Sequence, residues 1–324
     1  MLIASGTSSI NLAQHISEIT GIKLVNSYIS HFGDKELNIE VEDNQDDRNK
    51  HIIIINSLCF PAHDNLLELL LLIDAVHRAL HPNKVTVIIP YLCYTRQDRI
   101  MYRKSDNNNN LMVSALSVKV IINTLKTANI HNIILIDLHS NQLAGFFDTI
   151  ITNLSSHPIF IGDIIQKYDV DNIDNLAIVS PDHGALNRTK TFASALSRQY
   201  NLDYEIQIAV IDKHRKRPGV SEVMSITGNV ENKHCIIVDD IVDSAGTLCN
   251  TASTLKDMGA LQVNAYVTHG ILSGHAVEKV TNSKLDTLTI TDTVNHNSFN
   301  TSKIQILSID KFLSNYILYN LVQV

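Results

Sequence analysis

The sequence predicts an α/β protein whose sheets are mainly parallel, and three observations carry that prediction. Short runs of clustered Ile, Val and Leu alternate with helical patterns from one end of the chain to the other. Those runs are continuous rather than alternating in polarity, as strands covered on both faces are. The 324 residues, 44% hydrophobic and 18% charged, supply enough chain for two domains that each bury a core.

The elements follow in order. His51–Ile55 is the first clear strand, and Asn65–Leu80 behind it is a helix with apolar residues all round. Lys84–Ile89 is the next strand, Val113–Ala128 an amphipathic helix, and Asn132–Ile136 a third strand. Between them the Asn107–Asn110 run reads as a solvated loop tip. Leu176–Val179, Ile206–Ile211 and His234–Val238 are further strands, followed by a helix over Gly246–Met258 with Gly259 as its C-cap. Val263–Val267 is the last clear strand and Ile309–Leu321 the last helix.

The linker-like stretch Asn153-Leu154-Ser155-Ser156-His157-Pro158 divides the chain into domains 1–152 and 153–308, with the helix over 309–321 packing back on the first. A weak internal echo supports two related halves. His51–Tyr91 and His234–His269 both read strand, loop, long helix, strand, then an aromatic or histidine. Only the second copy places acids and glycine in the loop after its first strand, so only that copy looks catalytic.

Composition excludes several classes. Lys plus Arg number 26 against 33 acids, a net charge of −7, which gives no footprint for nucleic acid or anionic lipid. The longest apolar runs fall well short of the roughly 18 to 20 residues a membrane span needs. Met1–Ile10 lacks the basic and apolar regions of a signal peptide. Cys59, Cys93, Cys235 and Cys249 lack CxxC spacing, which points to a reduced, cytoplasmic interior.

The most specific stretch is Ile236-Ile237-Val238-Asp239-Asp240-Ile241-Val242-Asp243-Ser244-Ala245-Gly246-Thr247. Backbone N–H groups around Ser244–Thr247 converge at a helix N-terminus and suit a phosphate dianion, with the hydroxyls of Ser244 and Thr247 as added donors. Asp239 and Asp240 would repel a bare phosphate. They suit ribose hydroxyls or a metal ion instead. The plainer reading is an acidic strand end before an ordinary helix cap.

This stretch resembles the phosphoribosyl pyrophosphate loop of type I phosphoribosyltransferases and of ribose-phosphate pyrophosphokinase. Four other stretches resemble the pyrophosphokinase family in the expected order: Pro90-Tyr91-Leu92-Cys93-Tyr94-Thr95-Arg96-Gln97-Asp98-Arg99; Asp137-Leu138-His139 with Gly145-Phe146-Phe147-Asp148; Ser180-Pro181-Asp182-His183-Gly184; and Ile211-Asp212-Lys213-His214-Arg215. The resemblance spans about residues 2 to 318. It implies two tandem phosphoribosyltransferase-like domains, each a mainly parallel sheet flanked by helices. The implied activity transfers the diphosphoryl group of ATP to the C1 hydroxyl of ribose 5-phosphate, in a cytoplasmic homo-oligomer built on dimers, up to a hexamer, whose sites are shared between subunits.

The resemblance also implies roles. Lys213 and Arg215 match a catalytic pair on a basic loop running to Val220, where cations stabilise charge developing on the phosphates. Asp239, Asp240, Asp243, Ser244, Ala245, Gly246 and Thr247, with Arg215, match the ribose 5-phosphate site. Arg96, Gln97, Asp98 and Arg99 match an ATP-binding stretch, Arg96 by bidentate pairing with phosphate, while Asp98 and Arg99 also suit a local ion pair. Phe32, Asp34, Lys35 and Glu36 match a segment that contacts adenine from a neighbouring subunit. His139 and Asp182 match residues of a Mg²⁺ site; because Mg²⁺ prefers oxygen, His139 suits a less direct contact with the cation or with a phosphate, and its plainer reading is a structural histidine.

Three departures stand out. Lys35 replaces a glycine, at a cost of about 1 kcal/mol if its φ is positive. His214 replaces an arginine, and Ile100–Asn110 is longer and less basic than in the family. The alternatives are a non-catalytic regulatory subunit and a nucleobase phosphoribosyltransferase. The paired cations count against the first, and the ATP-like Arg96-Gln97 stretch against the second.

Overall fold

Isoleucine-rich runs form the centre of each sheet. The structure, a computed structural model, describes residues 1–324 apart from 106–109, 169, 215–222, 297 and 323–324. The chain packs as two units, the first comprising Met1–Leu154, Thr293–Asn295 and the segment from Asp310 onward, the second Ser155–Asp292 and His296–Ile309.

In the first unit, β1 (Leu2–Ser5), α1 (Ile10–Thr20), the hairpin β2 (Ser27–His31) and β3 (Leu37–Val41), β4 (His51–Ile55), α2 (Ala62–Leu80) and β5 (Lys84–Ile89) follow one another. A second hairpin, β6 (Tyr102–Lys104) and β7 (Leu111–Val113), leads to α3 (Ser117–Lys126), β8 (Asn132–Ile136) and β9 (Ile150–Leu154). The sheet runs β1-β4-β5-β8-β9, every pairing parallel. Ile52, Ile53, Ile54 and Ile55 are fully buried. Each contributes about 1.5–3 kcal/mol by leaving water.

The helix expected over Val113–Ala128 is corrected. Val113 pairs with Tyr102 in the β6–β7 hairpin, and the helix starts only at Ser117. The apolar residues of β7 and α3 together mimic one helical period, but Ser114, Ala115 and Leu116 separate two elements. α2 starts three residues earlier than expected, at Ala62. The loop tip expected at Asn107–Asn110 falls mostly outside the described residues.

The second unit runs α4 (His157–Lys167), β10 (Leu176–Ser180), α5 (Leu186–Gln199), β11 (Ile208–His214), β12 (Val223–Thr227), β13 (His234–Val242) and α6 (Gly246–Asp257). It ends with β14 (Gln262–Gly270), α7 (Ala276–Asn282), β15 (Thr287–Thr291) and β16 (Ile304–Leu307). Its sheet is mixed, β12-β11-β10-β13-β14-β15-β16, with β12 alone antiparallel. Alternate residues of the strands face opposite layers: Ala177, Val179, Cys235 and Ile237 pack toward Leu248 and Leu255 of α6. Leu176, Ile178, Ile236 and Val238 pack toward Phe160 of α4 and Phe192 of α5. Continuous apolar runs are therefore what this sheet requires.

Two strands outrun their expected ends. β11 continues to His214 because β12 pairs with it beyond β10, and β13 continues to Val242 because β14 pairs with it as far as Gly270. Asp239 and Asp240 thus lie inside a strand rather than beyond it. The internal echo recurs as topology, since both units order strand, helix, hairpin, strand, helix, strand and lay five sequential strands side by side in parallel. Finally α8 (Asp310–Ile317) lies against α1 in the first unit. No helix among the described residues is long and apolar enough to cross a membrane.

Candidate active site

In the second unit the candidate residues gather where β10 and β13 end, the edge at which open α/β sheets hold ligands. β13 stops at Val242, and Asp243, Ser244 and Ala245 turn the chain into α6. Ala245 adopts φ 58, ψ 2, a left-handed conformation that costs a residue with a Cβ about 1 kcal/mol. That conformation aims the N–H groups of Ala245, Gly246 and Thr247 to one side as an anion-binding nest at the helix start.

Asp240 is buried, with its side chain 4% exposed, and the Asp239 side chain is 27% exposed. One cation serves both. Arg188, in the first turn of α5, places Nη1 3.2 Å from Asp239 Oδ1 and 3.0 Å from Asp240 Oδ1. The Asp240 N–H donates to Asp239 Oδ1 at 2.9 Å. Burial, and then the adjacent Asp240 carboxylate, push the Asp239 carboxyl well above the usual carboxylate range, while Arg188 opposes the shift. The pair is poised to accept hydrogen bonds from hydroxyl groups, and Arg188 holds its orientation.

Sequence reasoning missed Arg188. It lies six residues after Asp182, and its only signal is that two adjacent strand-borne carboxylates need a cation from another element.

Asp182 follows β10. Its Oδ1 accepts from the Ala185 N–H at 3.0 Å, and Ser180 Oγ donates to its carbonyl at 2.7 Å. A Cβ at Gly184 would come within 3.2 Å of that same Oδ1, so the turn keeps a glycine there. His183 Nε2 lies 3.4 Å from Asp212 Oδ1 of β11. Lys213 sits on β11 opposite Met224. Arg215 and the rest of the expected basic loop lie outside the described residues.

The first unit holds the remaining candidates in two places. Arg96–Arg99 follow β5 and His139 follows β8, neighbouring parallel strands, so both occupy one sheet edge. Arg96, Arg99 and His139 are exposed, and Asp98 is half-buried. Gln97 is anchored: its N–H donates to Tyr94 O at 3.0 Å, and its Oε1 accepts from Ser117 Oγ at the start of α3. Tyr94 itself has φ 63, and its hydroxyl lies 2.8 Å from His63 Nδ1. The turn before His139 is tied to β9, with Asp137 N–H donating to Leu154 O at 2.9 Å and Leu138 N–H to Asn153 Oδ1 at 3.0 Å.

Phe32, Asp34, Lys35 and Glu36 form the tip of the β2–β3 hairpin, apart from that edge. The Phe32 N–H donates to Glu36 O at 2.8 Å, the Lys35 N–H to Phe32 O at 2.9 Å, and the Glu36 N–H to Asp34 Oδ1 at 3.1 Å. Lys35 has φ 72, so the lysine stands at a left-handed position that favours glycine. The Phe32 ring is 57% exposed, a stacking face presented outward. Among the described residues no group of three or more His, Cys, Asp or Glu side chains gathers as a metal site.

Comparison with known proteins matches both units. Residues 1–129 match the N-terminal domain of ribose phosphate pyrophosphokinase, and residues 194–320 match the phosphoribosyl synthetase-associated domain. A ribose-phosphate pyrophosphokinase of Burkholderia pseudomallei is 41% identical over 294 residues, 91% of this chain and 85% of that one. One from Agrobacterium fabrum is 39% identical, covering 91% of this chain and 87% of its own. The crystal structure of phosphoribosylpyrophosphate synthetase from Mycobacterium smegmatis superimposes with a TM-score of 0.85 at 24% identity, covering 100% of this chain and 99% of that one. That last match speaks to the fold.

Proposed function

The chain belongs to the ribose-phosphate pyrophosphokinase family, and from that premise we propose that it converts ATP and ribose 5-phosphate into 5-phosphoribosyl 1-pyrophosphate and AMP. The C1 hydroxyl oxygen of the sugar bonds to the β-phosphorus of ATP, the bond from that phosphorus to the α,β-bridging oxygen breaks, AMP departs with that oxygen, and the hydroxyl proton passes to solvent. The observation that carries this reading is the strand end of β13: two carboxylates held by Arg188 directly precede a left-handed turn that aims N–H groups from a helix start. A sugar phosphate has hydroxyls for the first and a dianion for the second.

The residues divide the work. Asp239 and Asp240 accept from the ribose hydroxyls and so fix C1. Asp243, Ser244, Ala245, Gly246 and Thr247 hold the 5-phosphate. Lys213 and Arg215 place positive charge against the transferring phosphates, which is what phosphoryl-type transfer needs more than a protein nucleophile. Arg96, Gln97, Asp98 and Arg99 orient ATP, with Phe32, Asp34, Lys35 and Glu36 of a neighbouring copy facing its adenine. ATP and subunit contacts thus fall to 1–152, and the sugar and the basic loop to 153–308.

Mg²⁺ suits Asp182, an oxygen donor at a strand end, because the ion keeps several waters and needs few protein ligands. His139, a nitrogen donor, suits a phosphate or a bound water better. Held at Asp182, the ion would supply neutralisation of phosphate charge. The working assembly in this reading is a homo-oligomer of the reduced cytoplasm, in keeping with four cysteines that are all free thiols.

The test is AMP formation from ATP, Mg²⁺ and ribose 5-phosphate, with phosphorus NMR to identify the product. Sugar-dependent AMP with a new diphosphate ester is the expected result. A folded chain that binds nucleotide but makes no AMP would be a regulatory subunit instead.

A further inference from the structure

We propose that Lys279 is a positioning residue for the sugar-phosphate loop, held with Ser273 in a brace that the segment after β14 builds against it; the inference rests on the reading of that loop given above. The brace is a run of hydrogen bonds between two neighbouring strand ends. The N–H groups of Ile271 and Leu272 donate to Val242 O at 2.8 and 3.1 Å, and the Ser273 N–H donates to Asp243 O at 3.1 Å. Ser273 Oγ donates to Asp243 Oδ1. One turn into α7, Lys279 Nζ donates to Ser244 O at 3.3 Å.

The last contact matters most. In a trans peptide the C=O and the following N–H point in opposite directions. A cation on the Ser244 carbonyl therefore fixes, from behind, the peptide whose other end is the Ala245 N–H, the first donor of the nest. Ala245 lies in a left-handed conformation, φ 58, that its own Cβ disfavours, so the turn needs outside support to hold that peptide in place. The positive charge also draws electron density toward the carbonyl and strengthens the opposing N–H as a donor.

The position fits. Lys279 is exposed on the wall of a cleft of about 730 Å³ whose lining also includes Gly246 and Cys249 of α6. Lys284 lines the same cleft but pairs with Asp257, away from the loop. Nearby Glu278 engages His275 at 3.3 Å. The two lysines thus separate contact with the loop from charge near it.

The experiment measures ribose 5-phosphate affinity by titration calorimetry, and steady-state KM and kcat, for the wild-type chain and for K279M, K279R and K284M. K279M is expected to weaken sugar-phosphate binding and raise its KM about tenfold, with kcat at saturating sugar within about threefold and KM for ATP unchanged. K279R and K284M stay within about twofold of wild type. Wild-type affinity in K279M, or an equal loss in K284M, overturns the proposal. Weakened binding in K279M alone, from a wild-type chain that makes no AMP, upholds the brace and overturns the proposed activity instead. A wild-type chain that binds no ribose 5-phosphate overturns both.

Discussion

The two units repeat one order of elements yet finish the loop after the matching strand in opposite ways. After β4 the protein closes the loop with its own groups. Asn56 Nδ2 donates to Asn65 O at 3.0 Å, Asn65 Nδ2 to Cys59 O at 2.9 Å, and Ser57 Oγ to Thr293 O at 2.6 Å. Beside it buried Glu68 of α2 accepts from the Thr7 N–H at 2.6 Å and the Thr7 hydroxyl at 2.7 Å, in the turn that leads into α1. After β13 two carboxylates share one guanidinium, and the first turn of α6 holds no acid. One loop is a structural joint; the other leaves two acids and a left-handed turn at a strand end.

The hairpins differ in the same sense. In the first unit Leu24 bridges β1 at Ile3 before the chain turns away, and β2 and β3 form a sheet of their own. In the second unit β11 and β12 extend the sheet, and Lys213 rides on it. The same connection ends in an exposed Phe32 tip in one copy and, by sequence, in a basic stretch in the other.

Lys213→Ala is the sharpest test of that contrast. Turnover should fall at least about a hundredfold while ribose 5-phosphate binding stays nearly intact, measured by single-turnover AMP formation and calorimetry. Unchanged turnover would put the β11 hairpin on the same footing as the β2 hairpin.

Glu68→Ala should act on the other unit and in the other currency. It strands the Thr7 donors, so stability in urea should drop by about 2–3 kcal/mol, with KM for the sugar unmoved. A raised KM without a stability loss would mean the first loop is not merely a joint.

Asp239→Asn tests the open loop through pH. The folded-state pKa of Asp239 is raised, so the wild-type chain loses stability as pH climbs from about 4 toward that raised value. The amide removes this loss. Its melting temperature at pH 7.5 should exceed wild type by about 2–4 °C, the gain vanishing near pH 4. A gain that does not vary with pH would exclude the carboxylate as its source.

The smallest effect belongs to Lys35→Gly. Relief of φ 72 favours glycine, while the freer unfolded chain opposes it. The net gain should be at most about 0.5 kcal/mol by thermal unfolding, and a clear loss would show that the lysine side chain makes a contact that outweighs its backbone strain.

Continuous burial and local order made much of the fold legible, although β1 and β15, buried almost throughout, were not among the expected strands. β4, β5, β8, β13 and β14 announce themselves because both faces are covered, and Asp239–Thr247 because acids, small residues and a helix start follow one another. Edge hairpins were not legible. β6 and β7 expose every residue, so no polarity pattern marks them, and their apolar residues were absorbed into the following helix. Arg188 and Lys279 owe their roles to packing between separate elements, α5 beside β13 and α7 beside the loop. Nothing in their immediate sequence shows this.

The first unit is assembled from three stretches of chain, the last of which carries α8 back to α1. A ribosome making this protein therefore releases α1 some three hundred residues before its partner helix, and the whole second unit can fold in the interval. Until then α1 lacks the helix that packs against it. The pairing of α1 with α8 thus closes the first unit only after the second has been made.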